Sequence, residues 1–166
     1  MADFIPLSVP NFAGREKEYV NDAVVSEWVS TGGSKVAGFE EALAEYVGMP
    51  RAVACNSGTS GLHLACLAAG VGRGDEVLAP TLTFIAAVNP IRYAGAEPVF
   101  IGCDDSLCMD PAEAEAFCAA RCHMEGDRLI DSATGAHVKA LLVVHVFGNM
   151  ADLPALMRVA QKYHLA

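Results

Sequence analysis

The spacing of apolar residues changes character about a third of the way along the chain. Between Gly14 and Trp28, Val20, Val24 and Trp28 recur at helical spacing among charged neighbours, which predicts an amphipathic helix ending at Ser30-Thr31-Gly32-Gly33. A second helix is predicted from about Lys35 to Tyr46, with Phe39, Leu43 and Tyr46 or Val47 on one face and Gly48-Met49-Pro50 as its stop. From Arg51 onward, short apolar runs alternate with helical segments. Ala52 to Cys55, Glu76 to Ala79, Pro98 to Gly102 and Ala140 to Val146 read as strands, and Ser60 to Ala69, Phe84 to Tyr93, Pro111 to Cys122 and Leu153 to His164 as helices. Such alternation favours an α/β layered sheet whose strands are buried on both faces. Between Cys122 and Lys139 the periodicity fails, and Arg128-Leu129-Ile130 faces Ala136-His137-Val138 across Asp131 to Gly135. That pattern predicts a small surface hairpin with Gly135 in its turn. Residues 1–35 precede the alternation and read as an arm and helix that pack on a neighbouring subunit, with residues 36–166 forming the layered domain.

Composition narrows the functions available. Of 166 residues, 53% are hydrophobic and mean hydropathy is +0.33, an apolar balance for a water-exposed unit of this size that points to a piece of a larger body. No run approaches the ~18 to 20 apolar residues of a spanning helix, so the sequence predicts no membrane partner. A net charge of -9 with only eleven scattered Lys and Arg and a pI of about 4.9 predicts no nucleic-acid partner. The opening Met-Ala-Asp-Phe-Ile-Pro lacks a basic segment followed by an apolar core, and the chain reads as cytoplasmic. The six cysteines show no Cys-x-x-Cys pair. Cys118, Cys122 and His123 have the spacing of one helix face, but no second ligand pair accompanies them, so reduced thiols and no metal are expected.

The chemistry concentrates where Ala52 to Cys55 runs into Asn56-Ser57-Gly58-Thr59-Ser60-Gly61 and a helix opens. Small residues let backbone approach an anion, N–H groups at a helix start point outward, and hydroxyls add donors: together a phosphate cradle. An ordinary Ser/Thr cap on a buried helix accounts for the same residues. The segment is neither G-x-G-x-x-G nor a Walker loop with its Lys, which withdraws support from dinucleotide and nucleoside-triphosphate readings. The next strand leads into Pro80-Thr81-Leu82-Thr83-Phe84 and places Phe84 just past a carboxyl end, where α/β sheets bind ligands. A flat side chain there can stack on an aromatic cofactor or, equally, fill core space. His63 reads as a packed helix residue, and Asp104, Asp105 and Asp110 as a loop cluster with Asp110 capping at Pro111.

Taken in order, Trp28-Val29-Ser30-Thr31-Gly32-Gly33, Phe39-Glu40, Ser57-Gly58-Thr59-Ser60-Gly61-Leu62-His63-Leu64, Gly74-Asp75-Glu76-Val77, Pro80 to Phe84, Tyr93-Ala94-Gly95-Ala96-Glu97-Pro98-Val99-Phe100, Val144-His145-Val146-Phe147-Gly148-Asn149 and Ala151-Asp152-Leu153 resemble the DegT/DnrJ/EryC1/StrS family of sugar aminotransferases. Asn89-Pro90 and the long segment from Cys122 to Lys139 are most similar to the branch that aminates nucleotide-linked keto sugars for surface polysaccharides. The resemblance implies an α/β fold: a three-layer α/β/α sandwich with a mostly parallel central sheet, the incomplete large domain of a fold-type I transferase. It implies pyridoxal 5'-phosphate as cofactor, held by Thr59 and Ser60 with Ser57 and Gly58 shaping the turn, and Phe84 stacked on the pyridine ring. It further implies that Ser30, Thr31, Gly32 and His145 approach a nucleotide-sugar substrate, that glutamate donates the amino group, and that the subunits pair as a homodimer.

The family's chemistry also needs a Schiff-base Lys and an Asp at the pyridine nitrogen. Lys17, Lys35, Lys139 and Lys162 lack the family's surrounding Lys motif, so no catalytic residue is assigned within the chain; both groups are expected beyond Ala166, and the chain alone is expected to be inactive. Two other readings stay open: a pyridoxamine-phosphate-dependent sugar dehydratase of the same fold, with His at the Lys position, and a non-catalytic binding or scaffold fragment.

Overall fold

The computed structural model describes residues 4–6, 8–30 and 32–166, which form two compact units divided between Ala54 and Cys55. In the first, α1 (Glu16–Val25) is shorter than its apolar spacing predicts. Glu27 adopts a left-handed φ of 63°, which terminates a helix of L-residues whatever its periodicity. Its Val20, Val24 and the following Trp28 are exposed. Helix α2 (Ser34–Val47) stops as expected at Gly48, whose φ of 68° allows its N–H to turn back onto the last carbonyls. Glu40 on α2 accepts the Ala54 N–H at 2.8 Å and so ties down the run before residue 55. The strand expected over Ala52 to Cys55 is corrected: the run is apolar, but it enters no ladder with a described strand. Periodicity supplies the faces of a strand, and only a neighbour supplies the ladder.

The second unit runs α3 (Gly58–Ala68), β1 (Asp75–Pro80), α4 (Ile85–Tyr93), β2 (Glu97–Ile101), α5 (Pro111–Arg121), β3 (Cys122–Glu125), β4 (Arg128–Asp131), β5 (His137–Leu141), a 3-10 turn (Val146–Gly148) and α6 (Leu153–Tyr163). The five strands lie in the order β2-β1-β5-β4-β3. Both neighbours of β1 are parallel to it, and β5-β4-β3 is antiparallel, so the sheet is mixed. Strand β1 is almost wholly buried, as expected of a strand covered on both faces.

Alternation along the strands sorts side chains into two cores. On one face Leu78, Ile101, Leu129 and Val138 pack with Ala114 and Cys118 of α5 and Leu156, Val159 and Tyr163 of α6. On the other, Val77, Ala79, Ala140 and Leu142 pack with Cys66 of α3 and Ala87 and Ile91 of α4. Three layers result, α3 and α4, then sheet, then α5 and α6. Helix starts follow side-chain chemistry: Asp110 accepts the Ala112 N–H at 2.7 Å, as its position before Pro111 predicts, and Asp152 accepts the Ala155 N–H at 3.0 Å.

The predicted hairpin exists, with Leu129 opposite Val138 and Ile130 opposite His137, and Gly135 turns with φ 73°. It is not a separate surface feature, however. Its second arm is the start of β5, which begins at His137 rather than Ala140, and its first arm carries a further edge strand, β3, where the expected helix over Pro111 to Cys122 stops at Arg121. The ladder of β5 ends at Leu141 rather than Val146, although Leu142 still donates to Leu78 O at 2.8 Å.

Candidate functional site

Connections leaving β1 turn one way through α4 to β2, while β5 lies on the opposite flank of β1. The crevice between the carboxyl ends of β1 and β5 is therefore a topological switch point, where ligands of α/β sheets sit. Residues 81–84 leave β1 there, and residues 142–145 leave β5 beside them. Helix α3 aims at the same edge. Gly70, just past its end, approaches Lys139 in β5, and Leu62, Ala65 and Ala69 line a groove with Ala140 to Val143. The helix therefore runs back along β5, with its first turn at the carboxyl edge. The structure thus gathers Ser57, Gly58, Thr59, Ser60, Phe84 and His145 at one end of the sheet.

At that first turn Ser57 is an extended N-cap whose Oγ accepts the Ser60 N–H at 3.2 Å. The Ser60 hydroxyl donates to Asn56 Oδ1 at 2.8 Å and lies 3.0 Å from Ser57 Oγ. Asn56, which sequence reasoning gave no role, thus orients the Ser60 hydroxyl. The N–H of Gly61 bonds to Ser57 O at 3.1 Å, whereas the Gly58 and Thr59 N–H groups, as at any helix start, have no intrahelical acceptor. A side chain begun at Gly58 would meet nothing within 4 Å, so a ligand can approach this backbone closely.

Phe84 is the N-cap of α4 and is 81% exposed, which rules out the core-filling use of its ring in this chain. The preceding Thr83 holds its Oγ1 buried with no hydrogen-bond partner among the described residues. Sequence reading passed over Thr83; its place between a strand end and an exposed aromatic was the available signal. His145 Nδ1 accepts the Ala151 N–H at 3.1 Å. That bond fixes the neutral tautomer with hydrogen on Nε2, so the exposed edge of the ring is a donor. The left-handed Phe147 (φ 55°) and Gly148 (φ 83°) then reverse the chain. His63 is packed as expected, its ring edge-to-face with Tyr93 at 5.7 Å. Ser30 and Gly32 belong to the first unit and are exposed; Thr31 lies outside the described residues.

The order of motifs and this geometry meet in one finding: residues 10–166 match the model of the DegT/DnrJ/EryC1/StrS aminotransferase family. The chain belongs to that family. It is 36% identical over 162 residues to GDP-perosamine synthase of Caulobacter vibrioides, which covers 97% of this chain and 39% of the relative. It is also 36% identical over 163 residues to GDP-perosamine synthase of Escherichia coli O157:H7, covering 98% of this chain and 40% of the relative. Among solved structures, a Streptococcus pneumoniae protein assigned as a sugar aminotransferase, in its PMP form, superposes with a TM-score of 0.78 at 29% identity, over 96% of this chain and 36% of that one. The chain therefore spans about two fifths of the length of the curated relatives it matches. Among the described residues, no helix is long and apolar enough to cross a membrane.

Proposed function

We propose that the whole protein is a pyridoxal-phosphate-dependent aminotransferase that moves an amino group from glutamate to a nucleotide-linked keto sugar. The observation that carries this reading is the open first turn of α3, set at the switch point of a family member's sheet, with an exposed aromatic and a buried unpaired hydroxyl in the adjoining loop. These residues fit the cofactor. An anion can take the Gly58 and Thr59 N–H groups and the hydroxyls of Ser57, Thr59 and Ser60; the phosphate displaces the internal Ser60 to Asn56 bond or accepts beside it. Phe84 covers one face of the ring and keeps water from it. When bound, pyridoxal phosphate supplies an electron sink for the negative charge that develops on carbon during amino transfer.

His145 offers its Nε2–H to a sugar or phosphate oxygen, with the Ala151 N–H holding the ring in place. Ser30, Thr31 and Gly32 contact the nucleotide sugar, and the Lys and Asp that complete the chemistry stand outside these 166 residues, so the chain by itself transfers nothing. The active form is a cytoplasmic homodimer that supplies amino sugars for surface polysaccharide. The test uses the full-length protein. It should yield, after borohydride reduction and digestion, a reduced pyridoxal adduct on a Lys outside residues 1–166, and it should convert glutamate to 2-oxoglutarate when given a nucleotide-linked keto sugar. An intact mass equal to that of these 166 residues with no adduct would replace the enzyme by a binding protein. A longer protein without adduct would point to the dehydratase.

A further inference from the structure

The amino-terminal edge of the sheet, away from the candidate site, buries charge that amino transfer does not use. Glu76 on β1, Val138 on β5 and Leu129 on β4 stand in one register row. Asp131, two residues beyond Leu129, returns to the same face. Arg121, the last residue of α5, reaches it from above the sheet: Nε lies 3.0 Å from Oδ1 and Nη2 lies 2.9 Å from Oδ2. Asp131 is 0% exposed and Glu76 5%. Asp131 Oδ1 also accepts the Ala133 N–H at 2.8 Å, and Glu76 Oε1 accepts the Thr134 hydroxyl at 2.9 Å. Each carboxyl of this pair keeps one buried oxygen without a hydrogen-bond donor among the described residues, Glu76 Oε2 and Asp131 Oδ2; Arg121 Nη2 lies 2.9 Å from the latter but out of hydrogen-bonding alignment. The two carboxyls bond consecutive residues of one turn, Ala133 and Thr134, which draws them to the same buried spot.

Two carboxylates against one guanidinium would leave an uncompensated negative charge in the interior, which proteins avoid by keeping a proton. We infer that Glu76 and Asp131 share one proton between Glu76 Oε2 and Asp131 Oδ2, and that this proton clasps the β3-β4 hairpin to the parallel half of the sheet at neutral pH. Arg121 decides which carboxyl keeps the charge. Burial alone would raise Asp131, but the guanidinium and the Ala133 N–H outweigh it and hold that carboxyl below its ordinary range. Burial raises Glu76, and the Asp131 charge adds to the shift against the opposing Thr134 bond and Arg121. Glu76 is therefore the donor.

The remaining ionisable neighbours do not compete for the proton. The Cys122 thiol at the head of β3 is pushed up to about 11 by burial and by Asp131 and Glu76. Glu97, the register neighbour of Glu76 on β2, turns to Arg92 at the surface. His137 and Asp75, paired at 3.4 Å, are each one residue out of this row and so lie on the opposite face.

An acid whose folded value is raised stabilises the fold at low pH and loses that contribution as pH climbs from the ordinary value, 4.5 for this Glu, through the folded one. Thermal stability of the full-length protein should therefore decline progressively as pH rises above the ordinary Glu range. Glu76→Gln keeps an acceptor for Thr134 and gives Asp131 a permanent amide donor. It should match the unsubstituted protein at low pH and remove the decline as pH rises. An infrared band of a protonated carboxyl should be present at pH 7, fade as pH rises, and be missing from Glu76→Gln. Parallel pH profiles for the two proteins, or a band that survives the substitution, would overturn the shared proton. If Glu76→Gln does not fold, the unsubstituted protein decides: no protonated-carboxyl band at pH 7, or stability that depends on added Na+ or K+ in place of such a band, rejects it.

Discussion

Cysteine shows how far residue type alone misleads. Six thiols in 166 residues invite a metal or disulfide reading, yet Cys66, Cys108 and Cys118 are buried in the two cores. Burial pushes Cys118 up to about 12, with Cys122 and Glu115 adding to it, and Cys122 up to about 11, so neither forms the thiolate that reacts. Under native conditions at pH 8, iodoacetamide should modify Cys103, which is exposed, and leave Cys118 and Cys108 untouched until denaturant is added. Peptide mass mapping reads the order, and early loss of Cys118 would contradict the packing. The residues of the proposed cradle stood out in the sequence because their type and order suit an anion: small, hydroxylated, and at a helix start. Thr83 and Asn56 were not, because a hydroxyl or an amide gains meaning only from what surrounds it, here a buried site without a donor and a bond to Ser60.

Elements were legible wherever periodicity and caps agreed. Asp110 with Pro111 and Asp152 with Pro154 mark α5 and α6 directly, and the apolar run of β1 marks a strand covered on both sides. That strand is the keystone of the sheet, paired in parallel to both β2 and β5. Leu78, 0% exposed at its centre, should on replacement by Ala lower stability by about 3 kcal/mol, as expected for a buried Leu that leaves a cavity between sheet and helices; equilibrium urea unfolding measures it, and a loss below about 1 kcal/mol would mean the site collapses to fill the space. Strand β3 escaped sequence reading for a physical reason. It has only four residues, all but Cys122 exposed, too short a run to stand out from its neighbours, and it exists because β4 offers it a ladder. Ala52 to Cys55 failed in the opposite sense, with a strand's composition and no described strand to pair with.

The molecule as a whole exposes more apolar side chain than its own folding uses. Phe4, Ile5, Val25 and Val29 of the first unit are more than 70% exposed, as are Phe84 and Phe147 of the second, and an apolar groove of about 240 Å3 opens between α3 and β5. Surfaces of this kind drive association. The 166-residue chain, prepared alone, should bind a hydrophobic dye and sediment as concentration-dependent oligomers despite its charge of -9; a monomer that binds no dye at high concentration would show these surfaces to be self-satisfied. From sequence alone came the family, the α/β alternation and the helix start at Ser57, because each is written in local order: a motif, a period, a cap. Only the tertiary structure decided that β1 and β5 lie side by side, that the hairpin joins the sheet, and that Glu76 and Asp131 are buried against one turn. Those partners are brought together across 55 positions of chain by strand pairing and burial, whose free energy belongs to the packed sheet and not to any local run of residues.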